Sequence, residues 1–303
     1  REVRGRPAVD DRWNFHSWSN EYNPCGDVIQ SRNFGPEGYP CLHSSTETHG
    51  TRFAFDDQGR VISEIYLGLD GEPESRGGVT EKRFTWIDAV NVGSERYFDR
   101  DGRPCLHENG FHGQNYSYDR NGYLDEQVWV DLNGHPVCPD GQAYAIARLV
   151  NDDRGQCLDW RCFGGDGRPV LDHDRTHRIS YRRDSTGNIL ETRYFGCSNQ
   201  PVVHRDGNHA VVCRYDPRGN ELEKTWLDIE NHPTTISGCE YATVRRIYDG
   251  FDRLIEERYY DERGQPMLCE EGYHGYRLSW NERGHPVERV HFGCDRLPRA
   301  NAR

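Results

Sequence analysis

The chain has 303 residues, of which 34% are apolar, and its 50 Asp and Glu outnumber its 38 Lys and Arg to give a formal net charge of -12. This acidic balance argues against a nucleic-acid-binding protein or one that docks on an anionic membrane, since both need a basic patch. No run of 18 apolar residues occurs, so we also expect no membrane insertion.

Nine prolines recur along the chain at intervals of 31 to 33 residues. A fixed period in this range indicates a repeat array, in which each unit buries its apolar side against its neighbours. We therefore predict a lead-in over residues 1–14 and one array of nine units over residues 15–303. The prolines are Pro40, Pro73, Pro104, Pro136, Pro169, Pro201, Pro233, Pro266 and Pro298.

Each unit contains the same elements in the same order. A β-rich segment such as Val211–Tyr215 leads into an Asp-x-x-Gly stretch, which is turn chemistry because Asp bonds the backbone ahead of it and Gly accepts a positive φ. A second β-rich segment, such as Ile189–Phe195, is followed by another turn and the proline. No helical periodicity is evident. The predicted fold is all-β, a repeat array of nine antiparallel β-hairpin units forming an extended twisted sheet or a β-solenoid.

A structural ladder is predicted six residues before each proline, where all nine units carry an apolar or aromatic residue. Such a position should face inward and stack from unit to unit. Its members are Phe34, Leu67, Phe98, Val130, Phe163, Phe195, Leu227, Tyr260 and Phe292.

An acidic row is predicted ten residues before the proline in six consecutive units, at Glu126, Asp159, Glu191, Glu223, Glu256 and Glu288. Arginines follow two residues later at Arg161, Arg193 and Arg258, on the same strand face. Two interpretations remain open. The row is either a cross-strand charge ladder or a binding stripe that recruits a basic partner.

Histidines lie 24 residues before the proline in six units, at His16, His49, His112, His177, His209 and His274. Equivalent residues of stacked hairpins are about 10 Å apart, two strand spacings, so one histidine per unit cannot surround a metal ion. We interpret them as structural and expect neither a metal site nor a cofactor.

The eleven cysteines do not share one repeat position and contain no Cys-x-x-Cys pair. They are interpreted as small buried apolar residues, with disulfides between adjacent units as the alternative. No catalytic signature such as Gly-x-Ser-x-Gly is present, so we expect no enzyme.

The repeat resembles a known type. Its motifs are Tyr-Asp-x-x-Gly-Asn at Tyr215–Asn220, Tyr-Phe-x-x-x-x-x-Pro-Val at Tyr194–Val202 and Gly-Tyr-His at Gly272–His274. These resemble uncharacterised bacterial β-hairpin repeat arrays and are more distantly similar to the tyrosine-aspartate repeats of Rhs-type toxins. The resemblance implies a β-array without catalytic function and carries over no catalytic residues.

The expected function is that of a structural or interaction repeat protein, such as a scaffold, a stalk or a self-assembling filament subunit. Its expected partner is a protein or a second copy stacked end to end. The alternative is a surface or toxin-associated module that binds glycans or encloses cargo. The chain starts at Arg1 rather than Met, and we expect a processed chain or a piece of a longer one, with an extracellular or cell-surface location favoured.

Overall fold

The computed structural model describes Glu2–Val3, Arg6–Pro7 and residues 14–299, and this part of the chain contains strands and turns but no helix. The remaining residues of the predicted lead-in and the last four residues lie outside it. Two compact units are present. One comprises Arg1–Ala147 with Gly164–Gly167, and the other comprises Arg148–Phe163 with Arg168–Arg303.

Among its described residues, the first unit contains ten complete strands, all antiparallel. Two short strands, β1 and β2, pair with each other, and each later hairpin bonds to the next through β4–β5, β6–β7 and β8–β9. The strands are β1 (Glu2–Val3), β2 (Arg6–Pro7), β3 (Ser17–Tyr22), β4 (Val28–Phe34), β5 (Gly50–Phe55), β6 (Val61–Leu67), β7 (Glu81–Trp86), β8 (Val92–Phe98), β9 (Gly113–Tyr118) and β10 (Leu124–Val130).

The second unit continues the same pattern after β11, through which the boundary between the units passes. Its hairpins bond to one another through β12–β13, β14–β15, β16–β17 and β18–β19. The strands are β11 (Ile146–Asn151), β12 (Cys157–Phe163), β13 (Arg178–Arg183), β14 (Ile189–Phe195), β15 (Ala210–Tyr215), β16 (Glu221–Leu227), β17 (Thr243–Tyr248), β18 (Leu254–Tyr260), β19 (Gly275–Trp280) and β20 (Pro286–Phe292).

The predicted fold class is therefore confirmed, with nine antiparallel hairpins from β3 to β20. The repeat prolines are equivalent in three dimensions as well as in sequence. Each of the nine forms an isolated antiparallel bridge with the ladder residue six positions before it, as Val130 does with Pro136. Because proline lacks an N–H, it suits this position, where the second strand ends and the chain turns towards the next hairpin.

The hairpin turn is built by one side chain. Asp56 Oδ1 accepts hydrogen bonds from the backbone N–H groups of Gln58 (2.9 Å) and Arg60 (3.0 Å), and Gly59 takes a φ of 77°. Asp152, Asp184, Asp216 and Asp249 repeat the arrangement in the second unit. Its hydrogen bonds favour the charged carboxylate, and those from Thr186 and Asn188 lower the pKa of Asp184 to about 2.

The third hairpin lacks the turn glycine, but an aspartate side chain still closes its turn. Val90 occupies the position of the turn glycine and is exposed. Asp88, one position later than the usual aspartate, accepts hydrogen bonds from the N–H groups of Val90 and Asn91, both at 2.9 Å. One carboxylate therefore closes the turn without a glycine.

Candidate functional site

The ladder residues lie along one face of the strands, and none of them is exposed. Leu67 and Val130 are completely buried, Tyr260 and Phe292 are nearly so, and the other five are half-buried. The side chains at this repeat position are therefore largely withdrawn from solvent.

The repeated histidines lie where one hairpin passes to the next. His49, His112, His177, His209 and His274 are all buried. The Nδ1 atom of His112 donates a hydrogen bond to the carbonyl of Cys105 at 2.8 Å, and that of His274 bonds the Met267 carbonyl at 3.1 Å. Each ring also meets the ladder ring of the preceding hairpin edge to face, as His209 meets Phe195 at a centroid distance of 5.6 Å.

At two of these positions the surroundings favour the neutral imidazole. Burial lowers the pKa of His209 and of His274, because the charged ring loses its hydration there. Three of the nine repeats lack the histidine and have Thr80, Ala145 or Ala242 at the same buried position. The row therefore serves as a repeated packing element, with each histidine bound to its own junction.

The glycine after three of these histidines allows close contact between hairpins. A Cβ atom added to Gly113 would lie 2.0 Å from the backbone oxygen of Glu95, and one added to Gly275 would lie 2.1 Å from that of Glu257. Gly50 shows the same approach to Ser31, at 2.0 Å. Strand β9, like β5 and β19, could not approach its neighbour this closely if its first residue carried a side chain.

The acidic row lies on the same face as the ladder, and arginines bind Asp159, Glu191, Glu223 and Glu256. Asp159 binds Arg161 at 2.6 Å and Arg178 at 2.5 Å. Glu191 binds Arg193 at 2.6 Å and Arg182 at 2.9 Å. These contacts are the cross-strand charge ladder that the sequence left as one of two interpretations.

The same pattern continues through the later strands. Glu223 binds Arg245 at 2.5 Å, and Glu256 binds Arg277 at 2.8 Å as well as Arg258. Burial raises the pKa of Glu256, but the hydrogen bonds from its two arginines outweigh that effect and hold the pKa below its usual value. Of the remaining members, Glu126 is half-buried and Glu288 is exposed. Recruitment of a basic partner by this row stays a prediction.

The aromatic rings of the ladder also make cation–π contacts with a further set of arginines. The guanidinium of Arg83 lies 3.8 Å from the centroid of the Phe98 ring, and Arg245 lies 4.4 Å from that of Tyr260. The signal was present in the sequence, since an arginine lies 21 residues before the proline in five units, at Arg52, Arg83, Arg148, Arg245 and Arg277. For Arg83 and Arg245, cation–π contact and an ion pair together fix the orientation of the guanidinium.

The sheet face opposite the ladder carries a second set of packed aromatic residues. They include the residues seven before the repeat prolines. In the first unit Tyr97 packs with Val79 and Phe111. In the second unit Tyr259 stacks on Tyr241 at a centroid distance of 4.4 Å. Both faces of the sheet are therefore partly covered, which explains how a chain with few apolar residues builds a core.

All eleven cysteines are free thiols, so the disulfide alternative is not realised in this structure. Burial raises the pKa of Cys162 to about 12 and that of Cys213 to about 11, whereas Cys25 and Cys197 are exposed. Within the described residues, no group of three or more His, Cys, Asp or Glu side chains is arranged to hold a metal ion. The same residues include no helix with the length and apolar character to cross a membrane.

Half-exposed aliphatic residues recur close to the repeat prolines, and we call this set the aliphatic strip. Its members lie two residues after a proline or four residues before one and are between 42% and 50% exposed. They are Leu69, Leu106 and Leu132 in the first unit and Leu171, Val203, Ile229 and Leu268 in the second. A cavity of about 360 Å³ beside Leu69 is also lined by Leu42 and Pro73. No single repeat position marks this strip in the sequence, because its members alternate between two positions.

Comparison with known proteins gives matches only among solved structures. No family model and no curated protein matches the chain. A crystal structure of TcdB2–TccC3 matches 90% of this chain at 12% identity with a TM-score of 0.36, and the TcdB2-TccC3-TEV structure matches 90% at 10% identity with a TM-score of 0.39. The Tc holotoxin pore of Photorhabdus luminescens matches 90% at 11% identity with a TM-score of 0.32.

In each case the chain spans only a small part of the matched protein, 17%, 15% and 15% respectively. TM-scores of this size support no argument from likeness, so the description of the fold rests on the strand pairing.

Proposed function

We propose that this chain is a non-catalytic structural and interaction module, whose stacked hairpins present a regular surface to a protein partner or to a second copy of the chain. The observation that carries the proposal is the aliphatic strip. Leu106 and Leu132 are about half exposed, and Leu42 and Leu69, at the corresponding positions of two earlier repeats, line one cavity. Contiguous exposed apolar surface marks sites of protein–protein contact.

The polar residues support a structural role as well. The side chains that most often carry catalysis are histidines and carboxylates, and here the repeated ones bind the backbone or arginines. His112 is bonded to the Cys105 carbonyl, and Glu256 is held between Arg258 and Arg277. A residue bound in this way stabilises its junction.

The test is sedimentation velocity and electron microscopy of the purified chain over a wide range of concentrations. We expect association that increases with concentration and weakens in the double variant Leu106→Ser with Leu132→Ser. Val90→Ser is the matched control, since Val90 is an exposed aliphatic residue of the same unit in a hairpin turn. A chain that stays monomeric at every concentration and retains no protein partner would contradict the proposal.

One observation favours the alternative, a surface module that binds glycans. Trp18 (63% exposed), Tyr22 and Tyr39 are exposed in the first repeat. Aromatic faces of this kind suit the apolar faces of sugar rings. Binding on a glycan array that is lost in Trp18→Ala but kept in Phe251→Ala, whose side chain is also exposed, would support this function. A silent array would remove it.

A further inference from the structure

One sheet face of the second unit has a charge opposite to that of the whole chain. Strand register and ring contacts place nine arginines on the face that carries the ladder, against five carboxylates. We call it the arginine face. Its arginines are Arg148, Arg161, Arg178, Arg182, Arg193, Arg214, Arg245, Arg258 and Arg277, and its acids are Asp159, Glu191, Glu223, Glu256 and Glu288. Nine positive and five negative charges leave it four positive, although the chain as a whole carries -12.

On this face four of the five acids lie beneath the arginines, and the fifth, Glu288, is exposed. The side chains of Asp159, Glu191, Glu223 and Glu256 are 10% to 27% exposed. The arginines that contact them are up to 66% exposed, which is the value for Arg214. A guanidinium has five N–H donors and uses only some of them on one carboxylate. The surface that a partner meets is therefore rich in unused, positively charged donors.

Three of these arginines, Arg214, Arg245 and Arg258, line one groove. A cavity of about 230 Å³ is lined by Arg214, Arg245, Arg246 and Arg258 together with Leu222 and Ile247. Arg214 lies 3.7 Å from Glu223, beyond hydrogen-bonding distance, and Arg245 binds that carboxylate through Nε. Stacking of Arg245 on the Tyr260 ring holds its guanidinium in place, so little side-chain freedom is lost when an anion binds.

We propose that this groove binds a short acidic segment of a partner protein, with glutamate or aspartate carboxylates on the arginines and an apolar side chain against Leu222 and Ile247. Arginine pairs with carboxylates through two parallel hydrogen bonds. The apolar residues favour a peptide over a nucleic acid, whose backbone presents only phosphate and sugar. A long polyanion would also meet the negative charge of the rest of the chain. This inference rests on the proposed role as an interaction module and names its partner.

The test is fluorescence anisotropy with the full chain and three labelled probes. One is a short peptide with several glutamates and one leucine, the second carries lysine in place of each glutamate, and the third is a single-stranded oligonucleotide equal in charge to the first. We expect saturable binding of the glutamate peptide alone, weakened by added salt. The variant Arg214→Glu should reduce its affinity at least about tenfold.

The matched control is Arg103→Glu, which changes the net charge equally at an exposed turn of the first unit. It should leave the affinity within about twofold, because Arg103 is not among the residues that line the groove. Equal losses in both variants, no binding of the glutamate peptide, or equal binding of the oligonucleotide would each overturn the inference. Sedimentation of the same samples distinguishes failure of this inference from failure of the proposed function. Self-association without binding of the glutamate peptide would refute the acidic partner but not the role as an interaction module.

Discussion

Replacing Gly113 by alanine tests the close packing between hairpins directly. The new Cβ would lie 2.0 Å from the backbone oxygen of Glu95, whereas ordinary contacts begin at 3.4 Å, so the strands must separate locally by about 1.4 Å. Both groups belong to the backbone, and no flexible side chain can move aside. Overpacking of this kind costs about 1–3 kcal/mol, and we take about 3 kcal/mol because β8 and β9 are both fixed by strand pairing.

A Gly→Ala change also stabilises by about 0.4–1 kcal/mol through the unfolded chain, which leaves a net loss of about 2 kcal/mol. Urea unfolding followed by tryptophan fluorescence would measure it. The reverse change at the equivalent position, Ala210→Gly, is the control, because that junction already accommodates a Cβ. It should cost only about 0.5–1 kcal/mol. A Gly113→Ala chain as stable as the parent would refute the packing described for this junction.

Four further changes probe the ladder, the histidines, the charge ladder and the thiols. Leu67→Ala should lower the free energy of unfolding by about 2–5 kcal/mol in urea titration, since the side chain is completely buried, and a loss below 1 kcal/mol would contradict its ladder role. Folding lowers the pKa of His209, so the stability that its neutral form contributes is complete above pH 6.5, the unfolded value, and declines as the pH falls further. His209→Ala should therefore flatten the pH dependence of the free energy of unfolding just below pH 6.5. An unchanged slope would contradict this. Glu256→Gln should cost about 1–3 kcal/mol near neutral pH, and the difference from the parent should shrink as the pH falls below 4.5, the ordinary value of the carboxyl; a constant difference would argue against its ion pairs. In a timed reaction with a thiol reagent, the exposed Cys197 should react before the buried Cys162, whose raised pKa keeps it protonated, and the opposite order would contradict their placement.

The repeat itself could be predicted from the sequence because its signals are local. Turn residues such as Asp56 and Gly59 act within four positions of each other, and a fixed period identifies equivalent positions without any knowledge of pairing. The all-β hairpin array and the burial of Leu67 followed from these signals. The interpretation of histidines such as His112 as structural residues followed from the stacking distance between hairpins.

The arginine face could not be predicted in the same way, because its contacts join strands that are far apart in sequence. Arg245 lies 22 residues from Glu223 and reaches it only through the register between β16 and β17. Counting acids alone suggested a stripe for a basic partner, whereas the pairing places arginines above most of those acids. The net charge of the chain gave no sign of a basic face, since the sign of a surface depends on which residues share it.

The central claim is that the hairpins from β3 to β20 are joined by equivalent junctions, and hydrogen exchange at the junction amides tests it most directly. The backbone N–H of the residue seven before a repeat proline donates a hydrogen bond to the carbonyl of the residue that precedes the next hairpin. Tyr97 donates to His112 in this way and Tyr259 donates to His274, both at 2.9 Å. The account predicts strong and similar protection of these amides in all hairpins, above that of the turn amides. Fast exchange at the junctions, or protection limited to one or two hairpins, would contradict it.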